Sequence, residues 1–286
     1  MTEVGGQHSL SLCWSLRGVR TEPARGRVVS RGDGVPEVGT EEWLLKTGGR
    51  LTLRQALVLS AQGSAQVLNE RLSRTRPGAT KRPGQASRIE HARVHLMSVL
   101  ESQRERVLER QGQALLHHGC RTYLLGAALL DDEPFGRVNH AAAVVAALAH
   151  DDGLVHPGAP GVCFTADSAR EAATMMQSLG ATGDASVAAR SAVIAHFQPT
   201  LPSRAGAEAQ LVALGASADV MGFGLRRIDP VLAQSVWQEW PDLAFLSGVR
   251  ALLKGERKRA PRTRPGVLAL SGMPYLLRSA QRSIKA

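Results

Sequence analysis

Aromatic residues make up only 4% of this 286-residue chain, and cysteine occurs three times. With so few rings, Leu, Ala and Val must fill the core that a 43% hydrophobic composition allows. Cys13, Cys120 and Cys163 form neither a CxxC pair nor an even framework. That excludes a disulfide scaffold or a cysteine-rich zinc site and points to a reducing compartment. Long apolar runs are missing too: the longest, Ala141 to Ala149, is far too short to span a bilayer. The opening residues, MTEVGGQHSLSLCW, lack the basic start and apolar stretch of a secretory signal. These absences lead us to expect a soluble, cytoplasmic protein that does not engage a membrane. Strand-like alternation of useful length and internal repeats are also lacking, while Ala-rich runs favour helix.

Charge is abundant but unevenly placed. The formal net charge is +10. Residues 101–249 nevertheless hold 10 basic and 16 acidic side chains, a balance of −6. Residues 1–100 carry +7 and residues 250–286 carry +9. An acidic middle between basic flanks suits a centre that binds a cation.

Helical spacing of apolar residues predicts helices over Leu51–Leu72, from Arg88 into the Leu129 region with a break near Gly112, and over Asn139–Asp151. Further helices are expected over Asp167–Leu179, Val187–Phe197, Ala205–Met221, Pro230–Trp240 and Leu243–Leu253. The expected fold is an all-α bundle of about seven or eight helices with poorly ordered basic flanks. Residues 1–40 show no periodicity, and the Pro/Gly-rich segment Thr75–Ser87 reads as a linker. The expected division is an N-terminal extension (1–87), partly disordered with one helix, a central helical domain (88–260) and a basic tail (261–286).

Four residues are metal-ligand types set on otherwise apolar helix faces. His150 and Asp151 close the run AAAVVAALAHDD, where a helix end lets adjacent side chains converge despite the roughly 100° between neighbours. Asp219 occupies the core-facing register of Leu211 and Gly215, and a carboxylate there is costly unless paired or bound to metal. His118 precedes Arg121 by three residues, which puts both on one helix face. Arg121 is expected to anchor a nearby carboxylate. Asp152 reads as a solvated helix-end residue and Cys120 as a small buried one.

The order of these segments resembles the HD-domain metal hydrolases, most of all their cyanamide hydratase-type branch. The resemblance rests on His118-Gly119-Cys120-Arg121-Thr122-Tyr123, on Ala149-His150-Asp151-Asp152-Gly153-Leu154, and on Phe164 followed by Asp167-Ser168-Ala169-Arg170-Glu171-Ala172. It continues through Ala192 to His196, Leu214 to Gly222, Ile228-Asp229-Pro230 and Trp240-Pro241, covering about residues 88–260. It implies an HD-type helical bundle in which His118, His150, Asp151 and Asp219 bind one divalent ion, Zn2+ first, with Fe2+ or Mn2+ as alternatives. Such an ion lowers the pKa of water it binds from 15.7 to about 7. His196 is the candidate for substrate orientation or proton transfer, and Asp151 counts as catalytic as well as ligating. Leu154 stands where related phosphohydrolases often carry Lys. Only His156 and His196 lie between Asp151 and Asp219, too few for a two-iron site.

The expected activity is therefore that of a metal-dependent hydrolase or hydratase acting on a small molecule such as a cyanamide or nitrile. Hydrolysis of a phosphomonoester or nucleotide is the alternative within that chemistry. A reading of another class uses the basic segment Lys254 to Arg264 to bind nucleic acid or an anionic partner. No zinc finger, RNA-recognition aromatic set or basic helix-turn-helix accompanies that segment, which argues against nucleic acid. The sequence leaves a homo-oligomer open.

Overall fold

The computed structural model describes residues 36–75, 83–181 and 183–269, and among them every extended element is a helix, beside one isolated antiparallel bridge between Arg50 and Thr263. Early in the chain lie α1 (Glu41–Thr47), α2 (Leu53–Thr75) and α3 (Gln85–Gln111). Then come α4 (Gln113–Leu129), α5 (Asp132–Phe135), α6 (His140–Ala149) and α7 (Asp152–Val155). The rest are α8 (Thr165–Ser178), α9 (Asp184–Ala195), α10 (Ala207–Met221), α11 (Pro230–Glu239), α12 (Phe245–Arg259) and α13 (Arg264–Leu268). A 3-10 turn, Leu225–Arg227, joins α10 to α11. The expected all-α architecture is present. Thirteen α-helices among the described residues exceed the expected seven or eight: α1, α5, α7 and α13 are too short to show a periodic pattern, and the break at Gly112 makes α3 and α4 two helices.

Helix α4 is the axis of the packing. Every residue from Leu115 to Leu129 is buried, and the helix lies against α3, α6 and α10. Its crossing with α10 is close because Gly215 faces it: a Cβ there would overlap the Thr122 carbonyl oxygen. Gly119 does the same toward α6, where an added Cβ would lie 2.8 Å from the Ala147 carbonyl oxygen. Small residues at these two crossings bring the backbones of α6 and α10 up to the helix that carries His118.

The packed body extends past residues 88 and 260. Trp43 and Leu44 of α1 and Leu59 of α2 belong to the same hydrophobic core as α4 and α6, and Trp43 is fully buried. Lys254 to Arg264 is no free tail. Helix α12 runs on to Arg259 with Phe245, Leu246, Val249 and Glu256 on its buried side, so its basic residues are largely the outer face of an amphipathic helix. Arg264 is fully buried, donating to the Ile194 carbonyl at 2.6 Å and to Thr165 Oγ1 at 2.9 Å, with Trp43 beneath its guanidinium. The expected disorder of residues 1–40 falls mostly outside the described residues, although Val38 packs against the core. Most of the expected linker and the end of the chain past Leu268 and Ala269 also lie outside them.

Candidate metal centre

Helix α6 stops at Ala149, leaving His150 as its C-cap and Asp151 in a non-helical conformation (φ −105°, ψ 2°) before α7 begins. That interruption lets two consecutive side chains turn toward one point. On the opposite wall, His118 reaches the same point from α4. His118, His150 and Asp151 are all buried, and their donor atoms lie within 4.8 Å of one another. His118 Nε2 is 3.0 Å from His150 Nε2, and each is 3.6 Å from Asp151 Oδ2. The centre of a triangle with those edges is about 2.0 Å from every corner, the Zn–N and Zn–O bond length.

Hydrogen bonds fix which ring atoms face that centre. His150 Nδ1 donates to the Ala147 carbonyl at 2.7 Å, and His196 Nδ1 donates to the Val193 carbonyl at 2.6 Å. A carbonyl only accepts, so Nδ1 carries the hydrogen and Nε2 presents a lone pair. His118 Nδ1 lies 2.7 Å from Asp219 Oδ2, a carboxylate that plays the same part. The Nε2 lone pairs of His118 and His150 therefore confront one another across 3.0 Å. They repel unless a proton or a cation stands between them. With Asp151 on the same side, one divalent ion satisfies all three donors.

Burial holds the His150 and His196 rings below the usual histidine range, His196 far below it. Both are neutral, the form that ligates metal or accepts a proton. The Asp219 carboxyl is pushed up by burial but more strongly held down by Arg121 and by the hydrogen bond with His118, and it ends well below the usual carboxylate range.

Asp219 was expected as the fourth ligand. Here its two oxygens are occupied by the guanidinium of Arg121, Nε–Oδ1 at 2.7 Å and Nη2–Oδ2 at 2.8 Å, and by His118 Nδ1. It lies outside the three-residue group, on the far nitrogen of His118, where it orients the ring. Arg121 does anchor a carboxylate, as its placement three residues after His118 suggested. It also donates to the Trp240 and Pro241 carbonyls at 2.8 and 3.1 Å. His196 stands at the margin, with Nε2 4.0 Å from Asp151 Oδ1.

Asp152 is not solvated. It is buried and receives Arg110 of α3 through both oxygens, at 3.1 and 2.9 Å. The segment from Asp167 to Glu171 braces the same turn: Ser168 Oγ accepts from Gly153 N at 2.9 Å, Asp167 Oδ2 accepts from Gly158 N at 2.9 Å, and Glu171 pairs with Arg106. Cys120 is buried as expected, and burial pushes its thiol up despite the neighbouring Arg121.

The sequence reading missed Phe245, whose ring stacks on His118 with centroids 4.0 Å apart and planes 15° apart. An aromatic at a helix start carries no signal of its own. Leu243 and Ala244 before it both adopt positive φ, a strained pair that turns the chain sharply into α12.

A cavity of about 100 Å3 opens on the group, lined by His118, His150, Asp151 and His196 together with Phe197, Gln198, Ser217, Met221 and apolar residues of α2 and α12. Among the described residues, no Lys or Arg lines it. It falls well below the roughly 300–1,000 Å3 of drug-sized ligand sites. No helix among the described residues is long and apolar enough to cross a membrane. In comparisons with known proteins, no family model and no curated relative matches the chain.

Proposed function

We propose that this chain is a metal-dependent hydrolase or hydratase of the HD type, acting on a small, weakly charged molecule such as a nitrile or cyanamide. The observation that carries the reading is the facing pair of Nε2 lone pairs on His118 and His150 beside Asp151, each ring pinned through its other nitrogen. Three protein donors leave coordination positions open for water and substrate, the pattern of a catalytic rather than a structural site. Bound there, a divalent ion supplies Lewis acidity, polarising a substrate atom and making water more acidic.

The protein's own part is distinct. Asp219 and Arg121 hold His118 in its ligating orientation. His196, on the cavity wall with Nδ1 bound to the Val193 carbonyl, offers Nε2 to take a proton from the attacking water. Hydration of a nitrile then balances: a water O–H bond breaks and its proton passes to His196 Nε2, the oxygen bonds to carbon as one C–N π bond opens onto nitrogen, and His196 returns the proton to that nitrogen, giving an imidic acid that tautomerises to the amide. The described residues of the cavity wall include no Lys or Arg, which favours such a substrate over a phosphomonoester, whose charge would find no cationic side chain among them.

The test joins metal analysis to a substrate panel of cyanamide, simple nitriles and phosphomonoesters. Asp151→Asn is expected to lose the ion and all turnover, whereas His196→Ala keeps the ion and turns over slowly. An Asp151→Asn protein with unchanged metal content and rate would sink the proposal. Faster turnover of phosphomonoesters than of nitriles would move it to the phosphohydrolase alternative.

A further inference from the structure

A second histidine cluster sits at the other end of α6. His91 and His95 are one turn apart on α3, and His140 is the first residue of α6. Ligand atoms of the three rings lie within 4.8 Å of one another. His91 is exposed, and the other two are partly buried. His91 Nε2 and His95 Nε2 are 3.2 Å apart. Two imidazole nitrogens on one tetrahedral Zn2+ stand about 3.3 Å apart, given Zn–N bonds of about 2.0–2.1 Å.

The third ring is prepared from behind. His140 Nδ1 meets the Tyr123 hydroxyl of α4 at 2.8 Å, leaving Nε2 as the atom free to ligate. Its backbone is fixed as well. Asn139 caps α6 by accepting from Ala142 N at 3.1 Å, and its own N–H donates to Glu208 at 2.7 Å. Phe135 closes the cluster on one side, with its centroid 5.0 Å from that of His140 and 5.8 Å from that of His91. His95 stacks on His140 with the planes 7° apart, so convergence on one ion requires rotation of His95 about its Cβ–Cγ bond. Its partly exposed position gives room for that.

We infer that His91, His95 and His140 form a second metal site, taking a divalent transition-metal ion of the Zn2+, Cu2+ and Ni2+ class with solvent in the remaining position. Three nitrogens and no carboxylate select that class over Mg2+, Ca2+ or Mn2+. The site ties α3 to the N-terminus of the helix that ends in His150, about 15 Å away at 1.5 Å per residue. It is independent of the proposed function, because it shares no residue with the first centre.

The probe is Zn2+ alone, titrated into the full chain by equilibrium dialysis, with helical content followed by circular dichroism. His91→Ala changes an exposed residue, and His91→Ala/His95→Ala removes two ligands from one helix face. The double variant is expected to bind one equivalent fewer than wild type, while Asp151→Asn loses a different equivalent. Tyr123→Phe is expected to weaken the second site roughly 10- to 100-fold, as loss of an orienting partner does elsewhere. Unchanged stoichiometry in a folded His91→Ala protein and in the double variant would overturn the inference. A wild type whose only equivalent disappears in the double variant would support it while removing the first centre.

Discussion

The two histidine clusters at the ends of α6 use the same ring and differ in what surrounds it. At the C-terminal end, His118 and His150 are sealed in the core with a carboxylate beside them and every distal nitrogen bonded to protein. At the N-terminal end, His91, His95 and His140 lie near the surface, with no carboxylate in the group and one ring braced by a phenol. The difference teaches what burial demands. A neutral imidazole at the surface leaves its unmet hydrogen bonds to water, so a loose cluster costs little. Buried lone pairs have no such outlet, so the inner centre needs an Asp, an Arg behind a second Asp, and backbone carbonyls set by helix ends.

The sharpest break in the comparison is removal of the inner brace. Asp219→Ala strands the Arg121 guanidinium in the core without its carboxylate. The expected loss is about 3–5 kcal/mol of stability, the usual cost of leaving half of a buried pair. Thermal or denaturant unfolding measures it. His91→Ala, at the outer cluster, should change unfolding by less than about 0.5 kcal/mol when no metal is present, as surface substitutions do. Comparable losses in the two variants would erase the distinction drawn between the clusters.

Next in size is the division of labour around His118. Asp219→Asn preserves shape while weakening the pairing, and should weaken metal binding at the inner centre by roughly 10- to 100-fold. Asp151→Asn should abolish it. If Asp219→Asn abolishes it too and Asp151→Asn does not, the assignment of ligand and orienting residue is reversed.

A smaller effect follows from protonation of the outer cluster. His140 in the folded chain titrates at about 4, well below its ordinary 6.5. Between those values the unfolded chain binds a proton that the folded one does not, so this residue's contribution is intact above 6.5 and lost as pH falls toward 4. Unfolding measured in chelator across that window should show wild type losing more stability on acidification than His140→Gln. An equal slope in the two proteins would count against the burial argument.

The smallest effect is chemical. Cys120 is fully buried, and burial pushes its thiol up, so it should resist iodoacetamide in the folded protein and react after unfolding. Peptide mapping of labelled protein reads this directly.

Much of this was legible in the sequence. Apolar spacing located the long helices, since 3.6-residue periodicity survives in any helix that hides one face. Ligand-type residues on those apolar faces, His118, His150, Asp151 and Asp219, marked the inner centre, because polar groups in a core register require a partner. Local pattern also read Gly112 as the break between α3 and α4. Spacing could not reveal which partner each residue finds. Asp152 and Asp219 are both core carboxylates, and only the packing of α3 and α10 gave one to Arg110 and the other to Arg121 and His118. His140 joins His91 and His95 across 45 residues or more of chain through an α3–α6 contact that no local pattern encodes. The basic run after Lys254 looked like a tail because charge is visible in sequence while the opposite face of its helix is not. Periodicity is a property of one element and is written along the chain. The choice of partners belongs to the crossings at Gly119 and Gly215, where backbone approach sets which side chains meet.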